Sequence, residues 1–126
     1  MAKNPKEWLV QARYDLATAQ WMLRGRKYFY AVFMCHLCME KALKGIYHKS
    51  LKKLPPKTHS LIFLIDKIGI KPAEGLLKFL VKIDQASVAT RYPEDIGRLQ
   101  KVYTAAKVKG ILNKAEEILQ WAEKNF

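Results

Sequence analysis

The sequence predicts an all-α fold, an up-and-down bundle of four main helices with one additional short helix. Three observations carry this expectation. Apolar residues recur at helical spacing through most of the 126 residues. Glycine and proline punctuate those runs at Gly25, Pro55-Pro56, Gly69 and Pro72. No segment alternates convincingly as a strand would. The length fits one domain, residues 1–126, and is sufficient for a real core.

The first helix is expected over Pro5 to Arg24. Asn4 stands at the cap, Pro5 at the first helical position, and Glu7 completes a capping box. Leu9, Ala12, Leu16, Ala19 and Leu23 hold its buried face, and Gly25 stops it. Asp15 lies beside that face, and a carboxylate there needs a basic partner from elsewhere in the bundle. The short turn Gly25-Arg26-Lys27 makes the next helix an antiparallel neighbour. That helix, Phe29 to His48 and ending by Ser50, is the most apolar run in the chain. Ala31, Cys35, Cys38, Ala42 and Ile46 share one face, while Val32, Met39, Leu43 and Tyr47 widen it. A surface helix needs an apolar band of roughly 100°, so a wider one predicts contact on several sides. Its ionisable residues fall on one line, His36, Glu40, Lys44 and His48, with Lys41 beside them. That line is either the solvated edge of the helix or the first place to seek a function.

Leu51 to Lys57 reads as a basic linker stopped by Pro55-Pro56. Thr58 is the expected cap of a short third helix, His59 to Ile68, ended by Gly69. Pro72 opens a fourth helix, with Leu76, Leu77, Leu80, Val81 and Ile83-Asp84 on its inner side, ending near Ser87 to Ala89. Helical periodicity then fails from Thr90 to Tyr103, where Pro93 drives Tyr92 away from helical angles. A loop this long in a compact domain is usually functional or mobile. The last helix starts from a Thr104 cap, with Tyr103 and Val108 as a hydrophobic staple, and runs close to Phe126.

Charge is the strongest bulk signal. The chain carries 23 basic against 11 acidic residues, a net +12. Six lysines and no acid lie between Lys41 and Ile65. Such a field attracts polyanions. A lysine-rich surface can also serve solubility or heat stability, but acids are too few here for dense pairing. No apolar run reaches the ~18 residues that span a bilayer. MAKNPKEW lacks a signal-peptide h-region, which predicts a cytoplasmic protein.

Little local chemistry stands out. Cys35, His36 and Cys38 invite a zinc reading, but on a helix His36 points ~100° away from Cys35, and a fourth ligand is missing. Inert core thiols are the simpler reading, and no metal or cofactor is expected. His59 reads either as a helix-terminal group bonded to backbone or as a phosphate contact near Lys53 and Lys57, since a helix N-terminus with nearby lysines suits an anion. Arg91 could pair with Asp15 or Glu40, or face a ligand. Tyr92 reads as a packing anchor or a stacking platform for a base. No glycine-rich phosphate loop, no nucleophile with a base at motif spacing and no paired carboxylates occur.

Taken in order, these pieces resemble the HEPN domain family. The matching residues are Trp8, Ala12, Asp15-Leu16 and Ala19; then Ala31, Phe33 and Glu40-Lys41-Ala42-Leu43-Lys44; then Thr58-His59-Ser60-Leu61; then Arg91-Tyr92-Pro93 and Tyr103-Thr104. The resemblance spans nearly the whole chain and is to the branch bearing Arg-Tyr-Pro. It implies a helical bundle that commonly works beside a small nucleotidyltransferase in a toxin–antitoxin-like pair, often as a homodimer, and contacts nucleotide or RNA. Ribonuclease members carry an arginine and, after four to six residues, a histidine. Here Ile96, Gly97 and Arg98 stand at those positions after Arg91. Cys35-His36-Leu37-Cys38 also departs from the small residues and glutamine more usual there.

The expectation is therefore a binding module without a catalytic site of its own. Its RNA or nucleotide contacts are expected from Lys41, Lys44, Lys52, Lys53, Lys57, His59, Arg91 and Tyr92. The alternative is a metal-independent ribonuclease acting at a dimer interface, with Arg91 joined by His36 or His59.

Overall fold

In the computed structural model, residues 4–91 and 93–126 are described, and for 87–91 only the backbone. Six helices follow one another: α1 (Pro5–Arg24), α2 (Tyr28–Leu51), α3 (Leu61–Ile68), α4 (Glu74–Arg91), α5 (Ile96–Val102) and α6 (Ala105–Lys124). The four long helices form the bundle, and α2 packs against all the others. Its burial follows from its width. Ala31, Val32, Cys35, Cys38, Met39, Ala42 and Leu43 are all fully buried. Leu16 and Ala19 of α1, Leu80 of α4 and Ile118 and Leu119 of α6 close around them.

Local signals set most boundaries. The Asn4 side chain accepts from Lys6 N at 2.9 Å, and Gly25 closes the C-terminus of α1. Glu7 bonds along the helix, accepting from Gln11. Gly45 lets α1 and α2 approach closely, since a Cβ there would meet Trp8 Cβ at 3.2 Å. Gly69 ends α3 at φ 76°, a left-handed conformation that glycine adopts without steric penalty.

Several boundaries differ from the sequence reading. Helix α3 starts at Leu61, and Ser60 caps it by accepting from Phe63 N. The Thr58 hydroxyl instead accepts from Ser60 N, a turn that holds the approach to the helix. Helix α4 begins at Glu74, not Pro72, and runs to Arg91, past the expected end. Within the expected loop, α5 forms from an Asp95 cap that accepts from Arg98 N. None of its residues is buried, so the apolar signal was weak, and the capping aspartate was its clearest mark.

Candidate functional site

The ionisable line on α2 is not a solvated edge. His36, Glu40, Lys44 and His48 are all buried. Burying charge costs free energy unless each group is paired and hydrogen-bonded, and here the neighbouring helices supply the partners. His36 Nε2 lies 3.0 Å from Asp84 Oδ1 on α4. Glu40 Oε2 accepts from Lys44 Nζ at 3.0 Å, and Glu40 Oε1 lies 2.8 Å from His59 Nδ1. Trp8 Nε1 donates to His48 Nδ1 at 3.2 Å, and the Lys44 ammonium sits 5.8 Å from the Trp8 ring centre. Beside the line, Lys41 Nζ is 2.9 Å from Asp15 Oδ2, which gives the α1 carboxylate the basic partner its position demanded.

Asp84 joins three elements. Its Oδ1 accepts from Leu61 N at 3.0 Å, and its Oδ2 from Ser60 Oγ at 3.3 Å and Ile62 N at 3.4 Å. Burial pushes the Asp84 carboxyl up, but the bonds from His36, Leu61 and Ile62 outweigh it and hold the group below its ordinary range. An ionised Asp84 can only accept, so Nε2 of His36 donates to it. His36 Nδ1 is buried, without a hydrogen-bond partner among the described residues. The N-terminus of α3 is therefore filled by the chain's own carboxylate. Its first amides, Leu61 N and Ile62 N, already face Asp84.

The cation candidates divide into two groups. Lys41 and Lys44 are committed to Asp15 and Glu40 inside the bundle. Lys52, Lys53 and Lys57 are exposed where α2 gives way to the linker. Lys52 is the left-handed C-cap of α2, at φ 54°. His59 is 60% exposed and turns Nδ1 toward Glu40, so it does not serve the backbone at the helix start. The Arg91 side chain and Tyr92 lie outside the described residues. The thiols are inert: burial pushes Cys35 up to about 12 and Cys38 upward as well. Among the described residues no cluster of histidine, cysteine and carboxylate could hold a metal, and no helix is long and apolar enough to cross a membrane.

Sequence reasoning missed a second feature at the other end of α2. A cavity of about 340 Å³ opens between the α1–α2 turn and α5, lined by Arg26, Lys27, Tyr28, Tyr30, Ile96 and Gln100 among others. Arg26 is held there at φ 62°. The dipeptide Arg26-Lys27 followed by Tyr-Phe-Tyr was the available signal. It read only as a turn because α5, which forms the opposite wall, was not expected.

The architecture defines a class: a helical bundle whose central helix buries an ionic line and leaves a basic connection outside. The chain belongs to the HEPN family, whose HEPN domain profile matches residues 5–125. Among solved structures it is similar to TT1696 of Thermus thermophilus, with 28% identity over 99% of this chain and 100% of that one, and a TM-score of 0.86. It is also similar to ST0689, described as an archaeal HEPN homologue, with 25% identity over 98% of each chain and a TM-score of 0.77. No curated protein matches the chain.

Proposed function

We propose that this HEPN protein is a cytoplasmic binding module of the Arg-Tyr-Pro branch that works as a homodimer beside a small nucleotidyltransferase, in a toxin–antitoxin-like pair. It contacts RNA or nucleotide through the exposed basic connection after α2. The carrying observation is the division among its lysines. Lys41 and Lys44 are neutralised within the bundle, whereas Lys52, Lys53 and Lys57 stand exposed in a stretch without an acid. A row of solvated ammonium groups binds phosphate by counterion release and gives little sequence preference. Arg91, Tyr92 and His59 are further contacts in the proposal.

Fluorescence anisotropy with a labelled single-stranded RNA tests the reading. Affinity should fall steeply with salt, and the variant K52A/K53A/K57A should bind more weakly with a shallower salt slope. Co-expression with a neighbouring nucleotidyltransferase should yield a co-purifying complex. Wild-type protein that ignores both RNA and mononucleotides at low salt, and that purifies without the enzyme, would sink the proposal.

One observation favours the ribonuclease alternative enough to test it. Glu40 fixes His59 Nδ1 while the ring stays largely exposed, and a carboxylate-held imidazole is the usual form of a general base. His36 is fully buried and committed to Asp84, so His59 is the histidine this reading needs. RNA cleavage abolished by His59→Ala and by Arg91→Ala would establish it. Absence of cleavage by the wild type leaves the binding module.

A further inference from the structure

Helix α1 carries an apolar ridge that none of the described residues covers. Val10 is 58% exposed, Tyr14 75% and Trp21 73%. With exposed Ala17 they fall at i, i+4, i+7 and i+11, the alternating four-and-three spacing of a coiled-coil seam. The same spacing extends one step at each end, to Glu7 and to Arg24, both exposed. The seam therefore reads Glu7, Val10, Tyr14, Ala17, Trp21, Arg24, on the side of α1 opposite its core residues Leu9, Ala12, Leu16 and Ala19.

We infer that this ridge is the homodimer face and that two copies of α1 pair across it antiparallel about a two-fold axis between Tyr14 and Ala17. The inference rests on the dimer reading above and gives that dimer its surface. In this register the two numbers of each facing pair sum to 31. Val10 meets Trp21 and Tyr14 meets Ala17, so each large ring faces a smaller side chain. A concavity of about 300 Å³ lined by Tyr14, Ala17, Thr18 and Trp21 lies where the second copy's Tyr14 would seat. At each end Glu7 of one copy meets Arg24 of the other. A parallel pairing would instead set Glu7 against Glu7 and Arg24 against Arg24.

Charge selects a second copy as the occupant. A chain of net +12 repels itself over most of its surface. Along this ridge the flanking cation Arg13 is already neutralised by Glu116 at 2.8 Å and Glu123 at 2.6 Å from α6. The only charges in the seam itself are Glu7 and Arg24, and two-fold symmetry pairs them. An isologous interface requires a self-complementary patch of this kind.

The test is sedimentation velocity across a concentration series. The wild type should be a dimer. Glu7→Arg and Arg24→Glu should each weaken self-association, on the order of tenfold in Kd, because each sets like charges face to face at both ends. The double variant E7R/R24E should recover wild-type association. The two single variants mixed should form heterodimers more readily than either forms homodimers. Ala17→Arg should give a monomer with unchanged helical circular dichroism, since position 17 is exposed. A wild-type monomer at all concentrations overturns the dimer reading itself. A dimer that tolerates A17R and both charge reversals overturns this face while the dimer reading stands.

Discussion

Two sets of ionisable side chains, each containing lysine, lie along and just beyond α2 under opposite physical rules. The inner set, His36, Glu40 and Lys44, is buried, and each member finds a partner within 3.0 Å. The outer set, Lys52, Lys53 and Lys57, is exposed, in a stretch where the chain supplies no acid. A buried charge without a partner is intolerable, so the inner set must serve the architecture before anything else. An exposed ammonium is well solvated and contributes little to stability, so the outer set is free to serve a ligand. A lysine's place in this sequence therefore says less about its role than the nearest carboxylate does.

The largest expected effect comes from breaking the inner set. Glu40→Ala leaves the Lys44 ammonium buried beside Trp8 and removes the partner of His59. The cost should be about 3–5 kcal/mol, read as a lower urea midpoint at unchanged slope. A loss under about 1 kcal/mol would show that Lys44 reaches solvent readily and that the inner set is not obligatory.

Asp84 comes next, and it sharpens the comparison through pH. Its folded carboxyl is held below the ordinary carboxylate range, so its stabilisation is complete above the unfolded value of about 4 and is lost as pH falls through the lower folded value. Asp84→Asn should cost about 1–3 kcal/mol at neutral pH, because the amide keeps a single acceptor oxygen and its NH2 must confront the backbone N–H of either Leu61 or Ile62. The gap between wild type and variant should narrow below about pH 4. A gap that stays constant down to pH 2 would remove the carboxylate's charge from the account.

The outer set should behave in the opposite way. K52A/K53A/K57A should change stability by no more than about 0.5 kcal/mol. It should reduce the salt slope for single-stranded RNA by about 2, near 0.7 for each phosphate that no longer meets a lysine. A variant that loses stability but keeps its salt slope would invert the roles of the two sets.

How much of this was legible in the sequence follows the same division. The bundle was legible because α1, α2 and α6 carry long, wide or capped apolar periodicities that local physics reads directly. Helix α5 was not, because none of its residues is buried, Leu99 being only partly buried against the core, and its Asp95 cap stood in a segment dominated by Pro93. The ionic line on α2 was legible as a line, since four-residue spacing is a property of the chain alone. Its burial was not, because it depends on Asp84 of α4, His59 before α3 and Trp8 of α1, which are 48, 19 and 40 residues from their partners. The sequence placed Asp84 on the inner side of α4, yet nothing local told that its carboxylate would occupy the N-terminus of α3. The cavity beside Arg26 and Lys27 was hidden for a related reason, since Ile96 and Gln100 in its wall belong to the unexpected α5.

Lys49 is the boundary case and carries the smallest expected effect. It is exposed like the outer set, yet its ammonium lies 4.2 Å from the ring centre of Phe126, near the C-terminus of α6. A cation over an aromatic face at an exposed site is worth about 0.5–1 kcal/mol, so Lys49→Ala should cost that much, more than Lys53→Ala should. If Lys49 belongs to the architecture, its loss leaves the RNA salt slope unchanged. If the ring merely orients it toward a ligand, the slope falls by about 0.7 while stability moves little. Measuring both quantities on this one variant locates where the inner set ends and the outer set begins.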